Sequence, residues 1–147
     1  MDILTGRFGP REIAFAAAFG VFLGLLPKDN LLFVLAALVF LFSHANIVLG
    51  LVVTAVVSFF APWIHEAVAN SLGGAVLISP FGQKAVAALH GIPGIPWMKL
   101  DNTVVMGSLL LGATLFFPIF FLVWIPLKIF MPKKKEEKEE KKESVTK

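Results

Sequence analysis

Four apolar runs dominate the chain: IAFAAAFGVFLGLL at 13–26, LLFVLAALVFLF at 31–42, IVLGLVVTAVVSFFA at 47–61, and TVVMGSLLLGATLFFPIFFLVWIPLKIF at 103–130. The first three carry no charge, and the last carries only Lys128. All four read as helices, and their lengths differ in a telling way. Fourteen residues rise only about 21 Å, short of the roughly 30 Å hydrocarbon thickness. The second run is shorter still, whereas 103–130 is long enough to cross with tilt. Counted from Asn46, the third run reaches crossing length at Trp63, whose amphipathic ring suits an interface.

Between the first two runs lies PKDN, residues 27–30. Lys28 suits the carboxyl end of a first helix, and Asp29 or Asn30 can cap a second. Two short helices joined by four polar residues predict either a re-entrant hairpin or two crossings that recruit flanking residues 8–12 and 43–48. The two arrangements part over Lys28 and Asp29, buried at mid-membrane in one and exposed outside in the other. Backbone groups at a bend inside lipid need protein or water partners.

Residues 64–101 differ in character. The pattern predicts an interfacial helix ending near Gly73–Gly74, a short helix started by Pro80, and a break at GIPGIP that brings Trp97 to the interface. Within 103–130, Pro118 is expected to kink the helix and Pro126 to mark a bend or its interfacial end. The fold class is therefore an all-α integral membrane protein: a re-entrant or short helical hairpin, then two main transmembrane helices joined by an interfacial helical region. Residues 1–132 form one polytopic membrane domain. Residues 133–147, KKKEEKEEKKESVTK, form a solvated tail with almost nothing apolar to bury, and disorder is the expectation.

Composition supports the lipid reading. Of 147 residues, 57% are hydrophobic and 16% charged, against about 25% charged in ordinary soluble domains. So much apolar surface does not fit inside a small globule. The net charge of +3 comes without a basic-aromatic surface, which excludes a nucleic-acid reading and leaves anionic lipid headgroups as partners. Arg7 and Arg11 precede the first run, and Lys128 and Lys133–Lys135 follow the last, so the positive-inside rule places both termini in the cytoplasm. Ser43-His44-Ala45 loosely resembles a processing site, but the apolar region before it is too long and contains PKDN, so retention is expected.

Small and polar residues recur at helical spacing. Ala16, Gly20 and Gly24 form one ridge; Asn46, Gly50, Thr54 and Ser58 a second; Ser108 with Gly112, and Thr103 with Gly107 beside them, supply the third. Each is a helix-packing stripe. The Pro27–Asn30 break is the candidate functional element, because opposed half-helix ends can bind ions or substrate groups. Asp101 and Asn102 are expected to cap the last helix. With no cysteine, with alanine at 69 where H-E-x-x-H requires a second histidine, and with no serine in G-x-S-x-G, the sequence offers no catalytic, metal or cofactor site. A non-enzymatic protein is expected.

FGVFLGLLPKDNLLF (19–33) together with LDNTVVMGSLLLG (100–112) resembles an uncharacterised family of small bacterial membrane proteins related to the domain-of-unknown-function family 2062. Gly20, Gly24, Leu25, Pro27, Asn30 and Leu31 match its first motif, and Asn102, Thr103, Val104, Gly107, Ser108 and Leu109 its second. Asp101 stands where the family pattern has asparagine. The resemblance implies the bacterial inner membrane and supplies no reaction. Two functions remain as expectations: a scaffold or accessory subunit packed against a larger envelope protein, or a small oligomeric transporter or lipid-handling protein using the Pro27–Asn30 break.

Overall fold

The structure, a computed structural model, describes residues 8–130 and 133–147. Arg7, used above for orientation, lies outside them. The chain is all-α: α1 Pro10–Leu25, α2 Leu31–Phe42, α3 Ile47–Ile64, a π-helical turn His65–Ala69, α4 Asn70–Ile78, α5 Pro80–His90, a 3-10 turn Ile95–Met98, α6 Thr103–Phe130 and α7 Lys133–Thr146. Helices α3 and α6 are long and apolar enough to cross a membrane. At 18 and 28 residues they extend about 27 and about 42 Å.

The shorter α1 lies between them and carries most of the core. Ile13, Ala14, Ala16, Ala18, Leu23 and Leu25 are buried, as is Leu26 just past its end. It begins three residues before the uncharged run, because Pro10 presets the first-turn backbone and Glu12 accepts the Gly9 amide at 2.9 Å. Helix α3 runs parallel to it. A Cβ on Gly20 would meet the Gly50 carbonyl and Val53, and one on Gly24 would meet Val57. Helix α6 runs antiparallel on the other side, with Gly112 against Phe22 and Phe116 against Phe15 and Phe19.

Helix α2 returns along the bundle as a thin apolar rod, with Val34, Leu35, Leu38, Val39, Leu41 and Phe42 exposed. Its anchor is Phe40, fully buried, which stacks on Phe19 at 5.3 Å and fills the notch left by Gly50. The hairpin tip does not stop halfway along α3. His65, just past the end of α3, bonds the Leu25 carbonyl, and Asp29 reaches Lys99. The tip therefore shares one end of the bundle with the 95–102 connection.

Beyond α3 the sequence reading needs correction. The helix does not end at Gly73–Gly74. Pro62 lacks an amide, the His65 amide is shared between the Ala61 and Pro62 carbonyls, and the ladder widens into a π turn before α4 continues to Ile78. Gly73 is no terminator; it sits against the Thr103 carbonyl, and Gly107 reciprocally against Ala69. The strip Ala67–Ile78 then meets Pro80–His90 at 85°, a broken span or re-entrant geometry. Ser79 makes that corner, accepting the Gly82 amide at 3.0 Å and donating to the Val76 carbonyl at 2.6 Å. Helix α6 continues through both Pro118 and Pro126. Residues Lys133–Thr146 are helical, and lysine and glutamate are strong helix formers.

The α4–α6 crossing permits a direct test. Gly107→Ala places a methyl into the Ala69 backbone, whereas Gly74→Ala points into open space. Thermal unfolding in detergent should show a loss of about 2 kcal/mol or more for the first and under about 0.5 kcal/mol for the second. Equal stability of the two variants would refute the crossing.

Candidate functional site

Two sites gather polar groups beside apolar surface, one at each end of the bundle. The first is the predicted helix break. Pro27 ends α1, and Asn30 starts α2 by accepting the Phe33 amide at 2.9 Å. Asn30 is buried, and its NH2 group has no partner among the described residues. Lys28 folds back to donate to the Gly24 carbonyl at 2.9 Å, with its ammonium 5.8 Å from the centre of the Phe33 ring. Ser58 adds a long 3.5 Å contact to the same carbonyl. The His65 Nε2–H donates to the Leu25 carbonyl at 2.6 Å. The last carbonyls of α1 are thus engaged by side chains, which argues against an ion held by unwound backbone here.

Asp29 and Lys99 form an exposed ion pair at 2.7 Å. Lys99 adopts a left-handed backbone, φ 52°, which costs a side-chain-bearing residue about 1 kcal/mol. The hydrogen bond from Lys99, more than its charge, holds the Asp29 carboxyl below the usual carboxylate range. Burial pushes the Lys28 ammonium below the usual lysine value. Lys28, Asp29, Asn30, Leu31, Val34, Pro96, Trp97 and Lys99 together line a groove of about 500 Å³.

The second site was not legible in sequence. A furrow of about 440 Å³ lies between α1, the 43–45 turn and α6, lined by Arg11, Glu12, Phe15, Ser43, His44 and Ala45 on one side and Phe116, Phe117, Phe120 and Phe121 on the other. It shares Phe116 and Phe117 with a second hollow of about 240 Å³ that continues to Phe19 and Phe22. Glu12 is engaged by the Gly9 amide and Ser43 by the Phe40 carbonyl at 2.6 Å. Exposed Arg11 has no hydrogen bond or ion pair among the described residues. Farther along α6, Lys128 stands 5.0 Å from the Trp124 ring centre. Antiparallel packing is what turns the phenylalanines of α6 toward Phe15 and Arg11.

The three packing stripes close inside the chain. Thr54 donates to the carbonyls of Gly20 at 3.1 Å and Gly50 at 2.8 Å, while Ser58 donates to the Thr54 carbonyl at 2.6 Å. Ala16 lies in the α1 core, and Ser108 is fully buried, its hydroxyl without a partner among the described residues. Asn46 caps α3, accepting the Leu49 amide at 3.0 Å. For α6 the cap is Asn102 alone, which accepts the Val104 amide at 2.9 Å. Asp101 stands one position too early to reach the first-turn amides. No cluster of three metal-ligating side chains occurs among the described residues.

A family model described as an uncharacterized protein conserved in bacteria, DUF2062, matches residues 1–136. The chain belongs to the DUF2062 family. A Treponema pallidum (strain Nichols) protein, described only as uncharacterized, is 35% identical over 117 residues, covering 77% of this chain and 69% of its own length. No solved structure matches the chain. This DUF2062 member is a bacterial membrane protein on the strength of that match and its two membrane-length helices.

The Asp29–Lys99 contact generates two expectations. Because the chain has no cysteine, Lys28→Cys and Trp97→Cys can each be probed with an impermeant maleimide; both should react from the same side of the membrane, and opposite sides would break the hairpin placement. The lowered Asp29 value makes the ion pair stabilising above the ordinary carboxylate range and lost as pH falls through the lowered value. A double-mutant cycle with Asp29→Asn and Lys99→Gln should give coupling of about 0.5 kcal/mol at pH 7 and none in strong acid.

Proposed function

We propose that the chain is a non-enzymatic, lipid-handling protein of the bacterial inner membrane, which holds a phospholipid in the furrow between α1 and α6. The observation that carries this reading is Arg11 at the mouth of a phenylalanine-lined furrow. Its neighbour Glu12 is occupied by the Gly9 amide, and Arg11 has no ion pair among the described residues. A guanidinium beside an apolar trough complements a phosphate joined to an acyl chain: the fork of N–H groups takes phosphate oxygens and the rings take the chain. In this reading Arg11 and Lys128 lie at the cytoplasmic headgroup level, in keeping with the positive-inside bias. The hairpin tip lies at the opposite end of the bundle from Arg11, beside the start of α6.

The accessory-subunit reading drew its support from stripes of small residues. Those stripes seat α1 against α3, and α4 against α6. A larger envelope protein or a second copy would have to dock on bulky apolar side chains instead.

Detergent-free extraction into lipid nanoparticles, with mass spectrometry of what is retained, tests the proposal. The full chain should carry phospholipid above bulk composition, and Arg11→Gln should reduce that enrichment about tenfold while the helical signal is unchanged. Enrichment indifferent to Arg11 would refute furrow binding. Reproducible recovery of a larger protein without enriched lipid would favour the accessory role.

A further inference from the structure

We propose that the groove at the tip of the α1–α2 hairpin is a second, separate site, which binds the phosphate of an anionic phospholipid in the leaflet opposite Arg11. Two lysines from distant segments meet there. Lys28 comes from the PKDN turn and Lys99 from the connection into α6, and both line the same groove of about 500 Å³. Of the three N–H groups on Lys28, one is directed at the Gly24 carbonyl. Its ammonium lies against Phe33, and no carboxylate pairs with it among the described residues. Burial lowers its proton affinity, as expected of a cation partly withdrawn from water without a counter-charge.

Lys99 gives one N–H to Asp29, which fixes the lysine while leaving two donors. With two lysines and one aspartate, the groove keeps a net positive charge. Asn30 is part of its wall, 5% exposed, and its NH2 group is unpaired among the described residues. These groups suit a phosphate.

The surroundings favour a phosphate carried by lipid over one free in water. Trp97 is 74% exposed at the rim, where an indole favours the headgroup layer. Leu31 and Val34 also line the groove, and beyond them the outer face of α2 is apolar to Phe42. An acyl chain leaving a phosphate in the groove would lie along that face. A zwitterionic headgroup brings its own cation and compensates Lys28 less, so the site should prefer anionic lipid.

The test uses the full chain with Trp63→Phe and Trp124→Phe, leaving Trp97 as the sole indole, in an uncharged detergent. Titration with phosphatidylglycerol should shift Trp97 emission to saturation. Lys28→Gln should raise the half-saturating concentration about tenfold, and Lys28→Arg should leave it within about twofold. Arg11→Gln should leave this titration unchanged even where it abolishes retention in the furrow, so the two sites fail independently. Three results would each overturn the proposal: identical titration of parent and Lys28→Gln, equal response to phosphatidylcholine, or the same shift from inorganic phosphate. Should Lys28→Gln lose its helical signal, ionic strength decides in its place. Half-saturation by phosphatidylglycerol must then rise with salt, and indifference to salt would count against an ionic site.

Discussion

The close approach that α1 allows on both of its sides governs the whole architecture. Lipid gives packed helices little hydrophobic gain over separated ones, so association depends on contact distance and interhelical hydrogen bonds. Gly20 and Gly24 bring α3 near enough for Thr54 to reach the Gly20 carbonyl, and Gly112 admits Phe22 from the other side. A helix too short to be read as a span therefore becomes the most buried one, while α3 and α6 show their bulky faces outward.

That arrangement also decides where polarity can sit. With the interior filled by apolar side chains, mainly alanine and leucine, charged groups are displaced to the two ends of the bundle. At one end Arg11 lies beside the phenylalanines of α6, with no ion pair among the described residues. At the other, PKDN is held in place from several sides: Lys28 and His65 on the carbonyls of α1, Asn30 on the first amides of α2, and Lys99 on Asp29. The tip is thus a fixed polar cap. Both ends combine a cation with apolar walls, the pairing that an amphiphile such as a phospholipid requires.

The connection between α3 and α6 shows how local rules mislead when a tertiary contact takes precedence. A Gly-Gly pair after an amphipathic run reads as a helix end, yet the helix passes through it because Gly73 is needed where α4 crosses α6. Pro62 lies inside α3, and beyond it the chain passes through a π turn at His65–Ala69 and continues as helix. His65 looked like a failed metal motif; it seals the end of a helix forty positions earlier. Of the two residues expected to cap α6, only Asn102 is placed to do so.

The sequence by itself determined the membrane environment, the helical class, the break at Pro27–Asn30 and the start of α6, because each depends on composition or on interactions within a few residues. The two apolar runs of membrane length were legible for the same reason. Only the tertiary structure decided that α1 is central, that the hairpin tip lies beside Lys99, and that Arg11 opens onto the phenylalanines of α6. Those facts turn on helix direction and rotation. A periodic apolar run fixes neither, since in lipid nearly every face of such a helix is equally at ease until a glycine notch or a hydrogen bond selects one.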